Sequence, residues 1–164
     1  MRTYTHGIIG YLIYIKGSAQ QKKLAVLGAM MPDLILAIGY IFHFAGQSPV
    51  VQTLHNFFHR SLLHSVTELM HSFILVIPLL VLSYFFYKTI LPFFVGMLSH
   101  VILDLLTHQT SLYNHLYPLP FQPIASFVSY TSFWFTIIEH LFILIFVIWF
   151  LRKNGKILWR KFKK

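Results

Sequence analysis

The sequence predicts an all-α membrane protein: a polytopic helical bundle with about four spanning helices, a short N-terminal helix and a broken Met-Pro-Asp element. Of its 164 residues, 57% are hydrophobic and 18% aromatic, whereas only 10% are charged, which is not the balance of a soluble domain. Basic residues collect at the edges of apolar runs, as the positive-inside rule requires. Cysteine is absent, which excludes disulfides and thiolate metal ligands.

The predicted elements follow from the apolar runs. A spanning helix needs about 20 mainly apolar residues, and four segments come close to that length: 24–45, 66–87, 89–107 and 132–151. The short run GIIGYLIYI is expected to form a retained N-terminal helix, because Lys16 stands where a cleavable signal would carry small neutral residues. Pro32 lacks an amide donor, so we expect a discontinuous or re-entrant element in the first span.

Charge placement predicts the organisation across the membrane. Residues 1–151 form one membrane-embedded domain, and residues 152–164 form a basic tail with seven Lys or Arg residues. If Lys16, Lys22, Lys23, Lys88 and the tail share one side, the C-terminus is cytoplasmic in a bacterial or archaeal cytoplasmic membrane. Anionic headgroups account for the tail, so membrane lipids are the expected partners and nucleic acid is not.

Ionisable residues recur at helical spacing inside the apolar runs, where they are costly. His100, Asp104 and His108 follow each other at intervals of four within SHVILDLLTH, which places them along one helix face. A second stripe consists of Arg60, His64, Glu68 and His71. His59 and Asp33 bring further imidazole and carboxylate groups into the same setting.

Two interpretations of these stripes differ in how the buried groups find partners. A structural hydrogen-bonding network is the interpretation kept for His43, His115 and His140, with Glu139 neutral or paired with its bundle neighbours. For the two stripes, a network of this kind must supply partners for many buried groups, with Arg60 as its one intramembrane cation. One divalent cation could be the partner of several of these groups at once. Imidazole and carboxylate ligands favour zinc first and manganese second, and a metal-bound water would be a nucleophile near neutral pH.

With these residues assembled, the chain resembles the YdjM-like membrane-bound metal-dependent hydrolases. THGIIGYLIY resembles the opening Thr-His and small apolar helix of that family, and MMPDL resembles its Leu-Pro-Asp element. HRSLLHS resembles its His-Arg-x-x-x-His-Ser motif, and SHVILDLLTH followed by LYPLPF resembles its Ser-His-x-x-x-Asp-x-x-Thr segment and later Tyr-Pro. Two departures stand out. Asp33 is followed by Leu-Ile-Leu rather than an acidic turn, and His71-Ser72 competes with His64-Ser65 for the ligand role.

The stripes and the resemblance together predict a metal-dependent hydrolase that acts on a phosphoester or ester bond, in keeping with an amphipathic or lipid substrate. The first-choice metal ligands are His59, His64, His100 and Asp104, and the next are Asp33, His6, His71 and His108. Glu68 is the candidate general base, and Arg60 would hold a phosphate or carboxylate oxygen.

Two other functions stay open from the sequence. The first is a small proton- or metal-ion transporter or channel that uses the same His, Asp and Glu residues, which the broken Met-Pro-Asp element suits. The second is a non-enzymatic scaffold whose polar residues only lock the helices together.

Overall fold

The computed structural model describes residues 1–44, 62–109, 113–122, 124 and 126–162. Six helices lie within these ranges, and no strand is found there, so the all-α prediction is confirmed for this part of the chain. The helices are α1 (Thr3–Ile13), α2 (Ala19–Phe44), α3 (Leu62–Met70), α4 (Phe73–Phe86), α5 (Leu91–Thr107) and α6 (Phe133–Phe162).

Helices α1, α2 and α5 pack closely because small residues line their contacts. A Cβ atom at Gly10 of α1 would lie 2.6 Å from the carbonyl oxygen of Ala25 in α2. A Cβ atom at Gly28 of α2 would overlap the carbonyl of Phe93 in α5, and one at Gly96 would overlap that of Ala25. Backbones approach this closely only where side chains are absent, as in membrane helix pairs.

The predicted break in the first span is wrong, because α2 runs through Met-Pro-Asp as one helix with Pro32 inside it. Proline removes one intrahelical hydrogen bond, which in this register is the bond to the carbonyl of Gly28. Pro32 is fully buried in the bundle, where α1 and α5 both pack on α2.

The predicted span 66–87 consists of two helices instead of one. Helices α3 and α4 are bent by 52° relative to each other, and His71 and Ser72 form the junction. The Ser72 hydroxyl caps α4 by accepting a hydrogen bond from the amide of Ile74 at 3.1 Å. The bend therefore places His71 at a helix junction, with its ring directed into the bundle and fully buried.

One helix in the described ranges, α6, is long and apolar enough to cross a membrane, over Phe133–Gly155. The bent α3–α4 pair passes the same test if the two helices are counted as one span. Helix α5 is apolar but shorter, with 17 residues. The structure thus supports a membrane helix where the last span was predicted, and the figure of about four spans stays a prediction.

Candidate metal centre

Four of the predicted polar residues meet in the interior of the bundle. Asp33 comes from α2, His71 from the α3–α4 junction, and His100 and Asp104 from one face of α5. One donor atom from each lies within 4.8 Å of the other three. His71, His100 and Asp104 are at most 1% exposed, and Asp33 is the most accessible, with 21% of its side chain exposed.

The distances among these donor atoms match the spacing around a small metal ion. His100 Nε2 lies 3.1 Å from Asp104 Oδ2, 3.2 Å from His71 Nε2 and 3.7 Å from Asp33 Oδ1. His71 Nε2 lies 3.6 Å from Asp104 Oδ2 and 3.8 Å from Asp33 Oδ1. Donors around a tetrahedral zinc ion with bonds of about 2.0–2.2 Å are about 3.3–3.6 Å apart. The four residues therefore fit a divalent ion with small adjustments.

Backbone carbonyls orient both imidazoles toward this point. The Nδ1 atom of His71 is 2.8 Å from the carbonyl oxygen of Thr67, and that of His100 is 2.7 Å from the carbonyl oxygen of Ala29. Because a carbonyl only accepts, each Nδ1 donates its hydrogen, and in the neutral ring Nε2 then carries a lone pair. Metal-binding histidines are held in the same way, by a hydrogen bond from the ring nitrogen that does not bind the metal.

The second oxygen of Asp104 faces a different set of groups. Its Oδ1 atom lies 3.1 Å from His6 Nε2, 3.3 Å from His108 Nδ1 and 3.1 Å from the amino nitrogen of Met1. The His6 ring stacks on His100 with a centroid distance of 3.9 Å, and its buried Nδ1 has no hydrogen-bond partner among the described residues. Asp104 therefore contacts the rest of the group of four through Oδ2 and the predicted ligands His6 and His108 through Oδ1.

A cavity of about 450 Å³ opens beside Asp33. Its lining includes Arg2, Thr3, His108, Tyr113 and Tyr130, together with Met1, Tyr4 and Leu36. The Thr3 hydroxyl donates to Asp33 Oδ2 at 2.6 Å and so fixes the carboxylate at the cavity wall. A small molecule can therefore reach the group of four from the Asp33 side.

Residues of the loop after α5 pack against His71 and hydrogen-bond to the chain around it. The Tyr113 ring stacks on the His71 ring at 3.9 Å, and His115 Nδ1 donates to the backbone carbonyl of His71 at 3.0 Å. The Ser72 hydroxyl donates to the carbonyl of Tyr117 at 2.6 Å. Burial lowers the pKa of His115, which favours the neutral ring for this hydrogen bond. His115 thus has the structural role expected of it.

Only one described residue of the second predicted stripe, His71, lies next to the donors of the first stripe. His64 Nε2 lies 3.9 Å from Glu68 Oε1, and Glu68 Oε2 accepts the backbone amide of Asn114 at 2.6 Å. Among the described residues, the donor atoms that lie within 4.8 Å of one another include one from His71 and none from His64 or Glu68. The structure brings His71 to the group of four and leaves His64 and Glu68 outside it. His59 and Arg60 lie outside the described residues, as does the side chain of His43.

Glu139 of α6 makes contacts that were not predicted from the sequence. This buried carboxylate pairs with the Arg2 guanidinium and accepts the hydroxyl of Thr5 at 2.8 Å. His140, its neighbour, is exposed and bonds to the carbonyl of Thr136 in its own helix at 2.7 Å. Glu139 therefore anchors α6 to the start of α1. The isolated position of Glu139 in its apolar run indicated a paired group, although nothing in the run identified Arg2 as its partner.

The comparisons with known proteins point in one direction. No curated protein and no solved structure matches the chain significantly. A family model described as "YdjM inner membrane protein" matches residues 1–162, almost the whole chain and all four residues of the candidate metal centre. The chain therefore belongs to the YdjM inner membrane protein family.

Proposed function

We propose that the protein is a membrane-embedded metal-dependent hydrolase with one divalent ion held by Asp33, His71, His100 and Asp104. Zinc is the first choice and manganese the second, since both accept imidazole and carboxylate ligands. Membership of an inner membrane protein family and the geometry of the four residues support this proposal. The bond cleaved would be a phosphoester or ester, in a substrate amphipathic enough to reach a site inside the membrane.

The contact between His71 and His100 carries the proposal. Their Nε2 atoms are 3.2 Å apart, although each ring donates from Nδ1 to a carbonyl and so presents a lone pair to the other. Two lone pairs at this distance repel unless a cation, either a proton or a metal ion, lies between them. Two carboxylates also converge here, and two carboxylates with two neutral imidazoles balance the charge of one divalent ion.

A bound divalent ion would supply Lewis acidity and a water of lowered pKa. Of the four ligands, Asp33 is the one that reaches the cavity wall, so substrate and water are expected to enter on its side. His108 lines that cavity, 3.3 Å from Asp104 Oδ1, which makes its imidazole the best-placed group to move a proton. We therefore propose His108 as the general base in place of Glu68, because the Glu68 carboxylate already accepts a hydrogen bond from the backbone amide of Asn114.

The alternative of a transporter or channel was suited by a broken Met-Pro-Asp element, which the structure does not have. A broken Met-Pro-Asp element would have offered an unwound ion site, whereas α2 is continuous there. The hydrolase is therefore the better-supported function, and Arg60 is predicted to hold a phosphate oxygen of its substrate.

We also propose that α2, the α3–α4 pair, α5 and α6 each cross the membrane and that the C-terminus is cytoplasmic. In this arrangement Lys16, Lys22, Lys23, Lys88 and the basic tail all lie on one side of the membrane, which supports it by the positive-inside rule. Because the chain has no cysteine, single cysteines placed at Lys88 and Lys164 can be labelled from either side of the membrane without background. Labelling of both from the outside would contradict the proposed orientation.

Paired histidine variants test the metal site. His71→Ala is expected to lose the metal ion that the purified protein retains after zinc loading and dialysis, because it removes one of four ligands. His64→Ala changes a residue two turns earlier, in α3 and outside the group, and is expected to retain the ion. Elemental analysis of both variants is the measurement, and hydrolysis of a chromogenic phosphodiester and of phospholipid vesicles measures the reaction. Equal metal content in the two variants would remove the basis of the proposal.

A further inference from the structure

A long apolar groove runs between α1, α2 and α6, apart from the metal centre. It comprises a cavity of about 660 Å³ near the start of α2 and one of about 320 Å³ nearer Met30. Tyr11, Val26 and Phe150 line both cavities and make them continuous. Neither cavity contains a residue of the group of four.

The groove exists because α6 leans on α1 and leaves α2 uncovered. In the described part of the chain α6 packs on α1 but has no close backbone approach to α2. Tyr11 meets Phe146 and Phe150 edge-on, each with centroids 5.8 Å apart, and these rings form the floor. An apolar trough this long on a membrane protein is suited to a hydrocarbon chain.

The two ends of the groove differ in charge. Lys22 and Lys23 line the end at the first turns of α2, and no acidic residue lines either cavity. Lys22 Nζ lies 5.7 Å from the centre of the Tyr11 ring, so its charge sits at the edge of the apolar floor. The positive end of the α2 dipole adds to the field of the two lysines. This end is therefore built for an anion, and the other end is apolar.

We propose that the groove binds one anionic phospholipid, with its phosphate at Lys22 and Lys23 and an acyl chain lying along Val26 and Phe150 toward Met30. Helix α2 rises by about 12 Å from Lys22 to Met30, close to the half-thickness of about 15 Å of the hydrocarbon core of a bilayer. One acyl chain of one leaflet fits that length. The lipid would fill the gap between α2 and α6 and brace α6 against the bundle.

Thermal unfolding of the full-length protein in a mild detergent tests the proposal. Added dioleoyl phosphatidylglycerol is expected to raise the unfolding temperature by about 5 °C at saturation, because a ligand bound only to the folded state stabilises it. Dioleoyl phosphatidylcholine, with the same chains and no net charge, is expected to give a much smaller shift. Equal shifts with the two lipids would overturn the proposal.

Two further arms separate the lipid from its parts. Glycerol phosphate carries the headgroup charge without the chains, and a shift as large as that of phosphatidylglycerol would show an anion site instead of a lipid site. The double variant Lys22→Gln/Lys23→Gln is expected to lose the preference for phosphatidylglycerol, whereas Lys16→Gln/Lys88→Gln, outside the groove, keeps it. An unchanged preference in the first variant would contradict the proposal. Metal content plays no part in this readout, so it is independent of the proposed hydrolase.

Discussion

Helix α5 is packed inside the bundle and helix α6 lies at its edge, yet both bury ionisable side chains and expose large apolar ones. The buried face of α5 includes His100 and Asp104, both fully or almost fully buried, beside Gly96 and Met97. On α6 the large apolar side chains point outward: Trp134 is 72% exposed and Ile145 66% exposed. Soluble proteins show the reverse pattern, with apolar residues inside and charged residues on the surface. Although α5 and α6 differ in how much of each is buried, both place ionisable groups inside and apolar groups outside, which is the pattern of a protein with apolar surroundings.

Such an interior is stable only if its polar groups satisfy one another. In hydrocarbon an unpaired carboxylate costs several kcal/mol, so each one needs a partner supplied by the chain or by a bound ion. Glu139 on α6 has its partners in Arg2 and Thr5. Among the described residues, the ionisable groups near the Asp104 carboxylate are histidines, the Met1 amino group and a second carboxylate, and such a His/Asp group can hold a metal ion.

The largest expected effect comes from removing the charge of Asp104. Asp104→Asn is expected to abolish retention of the metal ion and to lower the free energy of unfolding by about 3 kcal/mol, since it leaves buried groups without their counter-charge. Glu139→Gln, the matched change on α6, is expected to destabilise by a similar amount while retaining the metal. Elemental analysis and equilibrium unfolding in mixed micelles measure both. Loss of metal from both variants would mean that unfolding, and not ligand removal, explains the result.

A smaller effect is expected from pushing α2 and α5 apart. Gly28→Ala places a methyl group against the Phe93 carbonyl, and overpacking of this kind costs about 1–3 kcal/mol. Because α2 carries Asp33 and α5 carries His100 and Asp104, we also expect weaker zinc binding in a chelator competition titration. Gly155→Ala on α6, with open space around it, is expected to be neutral or stabilising. If the two variants bind zinc alike, the close packing does not position the ligands.

The smallest of the three effects is expected at the α3–α4 junction. Ser72→Ala removes the cap of α4 and the hydrogen bond to the Tyr117 carbonyl, at a cost of about 1 kcal/mol. His71 is the preceding residue, so zinc affinity is expected to fall by about tenfold, as for other residues that orient a ligand. Ser83→Ala removes a hydroxyl bonded only within α4 and serves as the control. An affinity unchanged in Ser72→Ala would show that the junction holds His71 without this hydroxyl.

Local spacing along the chain identified part of the candidate site. His100 and Asp104 are four residues apart on one helix, and helical geometry alone places them on the same face. His71 and His64 could not be ranked in the same way, because both belong to a stripe that is continuous in the sequence. The choice depends on where α3 ends and on how far each residue is from Asp104, and both follow from packing between distant segments.

The course of α2 illustrates the same limit. A proline in an apolar run predicts a break from local chemistry, whereas α2 stays continuous where neighbouring helices pack on it. The glycines and alanines that allow this packing are visible in the sequence, but their partners on α1 and α5 are not. Arg2 was not predicted as the partner of Glu139 for the same reason, since the two residues are 137 positions apart in the sequence.

The wide sequence separation of the four candidate ligands has a consequence for biogenesis. Residue 33 is synthesised early, whereas residues 100 and 104 follow α3 and α4 in the chain, so the full set exists only late in synthesis. Long-range contacts of this kind form slowly compared with the helices themselves. We therefore expect metal capture to be a late folding event that marks a correctly assembled bundle. In refolding experiments, helical circular dichroism is expected to recover before zinc is bound, and simultaneous recovery would contradict this order.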